Sequence, residues 1–157
     1  MANLLELKDR VGRYLREAYS DVRLANGVDG YAVPFDNFSI TVYVSEMTDP
    51  KFLQFAEEND LPLTRVFVRS WVSKDIQPSA DFYKFMAEEL TGKLSLQVGV
   101  ADDKEAGTKV AYVYCVIPGD TIDPNELKWA VHSVLWESNT MGAALKEKFG
   151  AKWMFEG

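Results

Sequence analysis

The spacing of apolar residues predicts three helices and five strands along this chain. Apolar stripes at helical spacing cover roughly residues 3–19, a segment between Pro78 and Gly92, and 123–149. Elsewhere apolar and polar residues alternate, as in half-buried strands, and the run 109–117 is so apolar that it predicts a strand buried on both faces. The predicted strands are 31–35, 38–47, 64–73, 94–100 and 109–117.

The order of these elements determines the fold class that we predict. Strands that follow one another directly favour antiparallel pairing. The chain is therefore expected to be an α+β protein, α-β-β-β-α-β-β-α, with a sheet of about five strands and helices mainly on one face. Asp49 and Pro50 are typical of a helix start and predict one or two turns within an insertion that ends at Pro62. Residues 1–157 show no repeat or linker and are expected to form a single domain.

The last predicted helix has two apolar faces. Asp123 and Pro124 predict its start, and an apolar stripe on one side predicts packing against the sheet. Trp129 and Trp136 are seven residues apart and, at about 100° per residue, lie on the opposite side. The apolar stripe consists of Leu127, Val131, Val134, Leu135, Met141 and Leu145.

Two exposed indoles on this helix predict a second layer, because soluble monomers tend to avoid large apolar surface patches. The layer could be another part of the chain, a second copy or a bound partner, and we expect a partner subunit. The competing interpretation is that the C-terminal tail, with Trp153 and Phe155, folds back over the helix. His132 and Thr140 are further candidate interface residues, and the single histidine is interpreted as a surface residue and not a catalyst.

The strand over 64–73 also carries aromatic residues where polar ones are expected. Phe67, Arg69 and Trp71 share the face opposite the apolar one, and that face should be polar if helices cover only one side of the sheet. One interpretation is that a helix or the inserted segment 48–58 covers these residues. The other is a hydrophobic groove or dimer surface, in which Arg69 would suit an interface or a stacking contact.

Charge and hydropathy exclude several classes of partner. The formal net charge is −7, which argues against nucleic acid and anionic membrane surfaces as partners. No apolar run approaches the roughly 18 residues of a membrane span. The residues 1–6 lack the apolar core of a signal peptide, so the cytoplasm is the expected location.

No motif for catalysis, metal binding or nucleotide binding stands out, so we predict a non-enzymatic protein without a cofactor or metal. Cys115 lies in an apolar strand and is predicted to be a buried, inert core residue. The acidic group Asp102, Asp103 and Glu105 is interpreted as a solvated turn, and removing its carboxylates is expected to leave stability nearly unchanged.

Several stretches of the chain, together with the order of the elements, have the pattern of a known family. These stretches are 29–31 leading into 38–47, 64–73 with the helix around 82–90, 118–127 and 144–150. They resemble the YbjN/type III secretion chaperone-like superfamily of small bacterial proteins, and the insertion 49–62 departs from the family pattern. This resemblance implies a non-enzymatic α+β protein, often a homodimer, that binds peptides or other proteins.

Three functional hypotheses remain open from the sequence. The leading one is a bacterial, cytoplasmic, chaperone-like or regulatory binding module that acts as a homodimer. The alternative is a small α+β ligand-binding domain or enzyme with an apolar pocket. A third is an inhibitor or immunity-type protein, in which acidity would complement a basic target.

Overall fold

The computed structural model describes residues 3–90 and 92–156, and over these residues the chain forms four helices and seven strands. The predicted α+β class is confirmed. Met1, Ala2, Thr91 and Gly157 lie outside the described residues. The prediction that residues 1–6 lack the core of a signal peptide falls partly on Met1 and Ala2. The helices are α1 (Leu4–Ala18), α2 (Pro50–Glu58), α3 (Ala80–Lys84, continued by a π-helical turn over Phe85–Leu90) and α4 (Pro124–Phe149). The strands are β1 (Arg23–Leu24), β2 (Gly30–Pro34), β3 (Ser39–Glu46), β4 (Thr64–Ile76), β5 (Gln97–Asp103), β6 (Thr108–Pro118) and β7 (Lys152–Trp153).

The predicted helix boundaries at α2 and α4 are confirmed by their capping contacts. The Asp49 carboxylate accepts hydrogen bonds from the backbone N–H groups of the first turn of α2. At α4 the Asp123 carboxylate accepts from the Glu126 N–H at 2.8 Å, and Pro124 supplies a preset φ. Gly150 ends α4 in the left-handed region, at φ 65°, which a glycine adopts without the steric cost of a Cβ.

The sheet is antiparallel throughout, with the strand order β1-β2-β3-β4-β6-β5. Five strands were predicted, and the two further ones, β1 and β7, are only two residues long. β7 pairs with β4 at Ser73, where β6 already occupies the other edge of β4. The C-terminal tail therefore continues the sheet on the side of β3.

The helices α1 and α4 pack on one face of the sheet, as predicted. From α1, Leu7, Val11 and Leu15 are fully buried. On the sheet side, alternate residues of each central strand point into the same core. The core residues of the central strands are Ile40, Val42, Val44, Val66, Val68, Val72, Val113 and Ile117, and those of α4 are Leu127, Ala130, Val131, Val134, Met141 and Leu145.

Two predictions about the last two long strands are wrong. β6 is not buried on both faces, since its second face is half-exposed and Val116 keeps 38% of its surface accessible. The preceding strand begins at Gln97 and not at residue 94. The physical reason is that the backbone N–H groups of Ser95 and Leu96 donate to the side chain of Glu137, so they are not free to pair with β6.

Candidate binding surfaces

The outer face of α4 exposes both tryptophans to solvent. Trp129 is 61% exposed and Trp136 is 75% exposed, while the opposite side of the helix is buried in the core. Seven helical residues put the two rings roughly 10 Å apart along the axis. Both tryptophans therefore lie on the side of α4 that their helical spacing predicts.

The C-terminal tail does not cover these tryptophans, so the folding-back interpretation is wrong. Trp153 instead packs on Gly142, on the buried side of α4, where a Cβ would collide with the indole. Its ring also meets Phe38, with ring centroids 5.6 Å apart, and stacks on Phe155 at 5.9 Å. The tail is held there because β7 pairs with β4 and the Met154 N–H donates to the Val72 carbonyl at 3.0 Å.

The exposed part of α4 around the tryptophans carries no formal charge. From residue 129 to 145 the only charged residue is Glu137, and it is buried. A helix surface of about four turns without an exposed charge is unusual in a chain with 26% charged residues. The exposed residues of this face, which we call the α4 face, are Trp129, His132, Trp136, Asn139, Thr140 and Ala143.

His132 and Thr140 lie at the margins of the α4 face. The centroid of the His132 ring is 5.8 Å from that of Tyr19 and 6.2 Å from that of Phe35. This side of the α4 face therefore contacts the residues that directly follow α1 and β2. The Thr140 hydroxyl donates to the Trp136 carbonyl at 3.3 Å. Both residues are exposed.

The second surface is the face of the sheet that the helices leave open. Strand register places Tyr43 of β3, Phe67 of β4 and Val116 of β6 in one row across it. Arg69 and Tyr114 form the next row and Trp71 and Tyr112 the one after, since directly paired residues share a face. The open face, as we name it, consists of Tyr43, Arg65, Phe67, Arg69, Trp71, Tyr112, Tyr114 and Val116.

The aromatic and arginine side chains of the open face contact one another in series. Phe67 stacks on Tyr43 with ring centroids 4.9 Å apart and an angle of 4° between the planes. The Arg65 guanidinium lies 5.0 Å from the Phe67 ring. That of Arg69 lies 5.4 Å from the Tyr43 ring and 4.8 Å from the Trp71 ring. These cation–π contacts hold the arginines against the sheet and leave the residues half-buried.

The two arginines have no acidic partner among the described residues. No carboxylate oxygen described in the structure lies within 4 Å of either guanidinium, although the chain has 24 acidic residues. The Nε atoms of Arg65 and Arg69 are buried and, within the described chain, have no hydrogen-bond acceptor. Half-buried cations of this kind are costly unless another group compensates them.

A depression of about 500 Å³ adjoins the open face beside the start of β5. Arg65, Phe67, Tyr114 and Val116 from the open face line it, together with residues 95–97 and Cys115. A second depression, of about 370 Å³, lies at the other end, between Trp71 and the tail residues Met154 and Phe155.

The inserted helix α2 does not cover the open face. It has no extensive contact with any described strand or other helix, and its Ala56 carbonyl accepts from the Leu61 N–H of the following loop. Its two aromatic residues, Phe52 and Phe55, contact each other, and Phe55 is 52% exposed. The interpretation that segment 48–58 buries Phe67, Arg69 and Trp71 is therefore wrong.

Sequence reasoning missed Glu137, a buried carboxylate that joins α4 to the border of the open face. Its Oε1 accepts from the Ser95 N–H at 2.7 Å and from the Ser95 hydroxyl at 2.6 Å, and Oε2 accepts from the Leu96 N–H at 2.9 Å. The available signal was its place in the helix. Glu137 falls near the buried stripe of α4 and not on a polar side, which indicates a carboxylate with fixed partners.

Cys115 is only half-buried, so the prediction of a buried core residue is wrong in this respect. Burial, with a smaller contribution from the nearby Glu137 carboxylate, nevertheless raises the pKa of the thiol to about 11. At neutral pH the sulfur is therefore protonated and a poor nucleophile.

The acidic turn has specific partners, which contradicts the premise that its charges are free. The Asp103 carboxylate accepts from the N–H groups of Glu105 and Ala106, both at 3.2 Å, and so stabilises the turn. Asp102 forms an ion pair with Lys109 across the hairpin. Within the described residues no group of three or more histidine, cysteine or acidic side chains could hold a metal ion.

Comparison with models of known protein families finds no match, and comparison with curated proteins finds none either. No helix in the described part of the chain is long and apolar enough to cross a membrane.

Proposed function

We propose that this protein is a non-enzymatic protein- or peptide-binding module, chaperone-like or regulatory, that acts as a homodimer through the α4 face. The observation that carries this proposal is the exposure of Trp129 and Trp136 on a helix surface without charges. Tryptophan is enriched among the residues that dominate binding energy.

A second copy is the occupant that best matches the α4 face. Two chains that each carry a net charge of −7 repel one another, and an uncharged contact surface keeps like charges away from the interface. A twofold dimer presents the same patch twice. If two α4 helices cross near Ser133, midway between the tryptophans, Trp129 of each copy can pack against Trp136 of the other copy.

The family resemblance supports the same assignment. Apart from the two short strands and α2, the elements follow the order α-β-β-β-α-β-β-α. We propose membership of the YbjN/type III secretion chaperone-like superfamily on this basis, with a bacterial and cytoplasmic setting.

The test is the mass of the protein in solution, measured by light scattering after size exclusion. We expect a dimer for the wild type and a folded monomer for Trp129→Ala with Trp136→Ala. Each truncation at such a site typically weakens association by about 2 kcal/mol.

The matched control is Phe55→Ala, which removes an exposed aromatic ring from α2 and should leave the dimer intact. Circular dichroism confirms that each variant is folded. A wild type that is monomeric at high concentration, or a tryptophan variant that remains dimeric, contradicts the proposal.

A further inference from the structure

We propose that the open face binds an extended acidic segment of a partner protein, with one carboxylate on Arg65, another on Arg69 and an apolar side chain between them. This site lies apart from the α4 face. The inference shares with the proposed function only the expectation of a protein partner, so either can fail alone.

Charge complementarity identifies the chemistry of the partner. The described chain offers no carboxylate to Arg65 or Arg69. Arg23 of β1 lies farther along the row of Arg69, but it is already paired with Asp21. The guanidinium carbon of Arg65 lies over the Phe67 ring and that of Arg69 over the Trp71 ring, which keeps both cations close to the sheet. A guanidinium held in this way can still use N–H groups along its edge to bind a carboxylate, in the geometry that arginine favours.

Strand geometry sets the spacing of the two carboxylates. Arg65 and Arg69 are four residues apart on one side of β4, which places their attachment points roughly 13 Å apart. An extended ligand matches this distance when its acidic residues are also four positions apart. Its middle residue then lies over Phe67 and the exposed Val116, at the depression of about 500 Å³.

The observations favour a protein segment over single-stranded nucleic acid. Base stacking needs ring faces that are free, whereas Tyr43 and Phe67 stack on each other and both contact a guanidinium. A phosphate backbone also needs a track of closely spaced cations, and two arginines four residues apart do not supply one.

The probe is a fluorescein-labelled ten-residue peptide with two glutamates four positions apart and a leucine midway between them. Its binding is measured by fluorescence anisotropy at low salt. We expect saturable binding that weakens about a hundredfold in Arg65→Gln with Arg69→Gln, since each of the two lost charge-assisted contacts is worth about a tenfold change. Arg65→Lys with Arg69→Lys should restore part of the affinity, because charge returns without the planar fork.

Two peptide controls and one protein control define the specificity. A peptide with glutamines in place of the glutamates, and one with the glutamates two positions apart, should both bind weakly. Arg10→Gln with Arg13→Gln removes the same charge from α1, where Arg10 is half-buried and Arg13 exposed, and should leave binding unchanged. In the bound state the indole NMR signal of Trp71 should shift while those of Trp129 and Trp136 stay in place.

Several outcomes overturn the inference. They are no binding of the two-glutamate peptide at millimolar concentration, equal binding by the arginine variant, and tighter binding of a single-stranded oligonucleotide. Conversion of a dimer to a monomer by the arginine variant would show that a second copy occupies the open face instead. The peptide titration is repeated with the variant Trp129→Ala with Trp136→Ala. Peptide binding by this variant would show that the open face works without the α4 dimer, so failure of one proposal can be told apart from failure of the other.

Discussion

The α4 face and the open face both expose aromatic residues, but they hold them in different ways. On α4 the two indoles stand in solvent, and no described ring or cation contacts them. On the sheet, five aromatic side chains and two arginines pack laterally against one another and each is only half-exposed.

This difference separates aromatic residues that stabilise the monomer from those that do not. The lateral contacts of the open face already contribute to folding, so its composition alone does not establish a binding site. The evidence for binding there is the pair of arginines without carboxylates. On α4 the exposed area itself is the evidence, because nothing in the described chain gives those rings a structural role.

The largest expected effect comes from removing Glu137, which joins α4 to the segment before β5 at the border of the open face. Glu137→Ala should lower the free energy of unfolding by about 3 kcal/mol, since the part-buried hydrogen bonds from the N–H groups of Ser95 and Leu96 lose their charged acceptor. Urea unfolding measures the change, and Glu147→Ala on the exposed side of α4 is the control. A loss below about 1 kcal/mol would mean that these hydrogen bonds contribute little.

The next effect concerns Cys115, which lies at the border of the open face. A thiol pKa of about 11 leaves little thiolate at pH 8, so labelling by iodoacetamide should be about a hundredfold slower than for free cysteine. The rate should rise with pH until the pH passes 11. Labelling at the rate of an unhindered peptide thiol would show that the sulfur is not held as described.

A direct comparison of one aromatic residue from each surface sharpens the contrast. Phe67→Ala should reduce monomer stability by about 2 kcal/mol, because it removes the stack on Tyr43 and the contact with Arg65. Trp136→Ala should change monomer stability by less than about 0.5 kcal/mol. Both are measured by urea unfolding at protein concentrations low enough to exclude association. Equal losses would remove the distinction between the two surfaces.

The smallest expected effect is that of an exposed ion pair with known partners. The side-chain hydrogen bond and charge of Lys109 lower the pKa of Asp102 below its usual 3.8. The ion pair therefore stabilises the fold fully above the usual pKa of 3.8, and this stabilisation is lost as the pH falls through the lowered pKa. Asp102→Asn should reduce the melting temperature slightly at pH 7 and not at pH 2, and Glu105→Gln should have less effect. A larger loss at pH 2 would contradict this sign.

Sequence patterns predicted the long elements, because one face of each is buried in a single core. The α+β class, the helix starts at Asp49 and Asp123 and the outward tryptophans all follow from local periodicity and capping. The two short strands could not be predicted, since two residues carry no periodicity. β5 begins later than predicted because Glu137, distant in sequence, takes the backbone donors that the local pattern assigns to a strand.

The candidate surfaces were predictable only in part. Periodicity placed Phe67, Arg69 and Trp71 on one face, but their partners come from other strands, so the roles of Tyr43 and Tyr112 depend on register. The apolar tail was misassigned for a related reason. Gly142 has no side chain, so the Trp153 ring can pack directly on the backbone of α4. A glycine within a helix gives no sequence signal for what lies against it.

The packing of α1 against α4 also has a consequence for how the chain acquires its structure during synthesis. These two helices are the first and the last of the fold, so their contact spans almost the whole sequence. Contacts between distant residues slow folding, because a long loop must close before they form. Until α4 is made, Leu7, Val11 and Leu15 lack the helix that packs beside them, and the nascent chain exposes this stripe to aggregation.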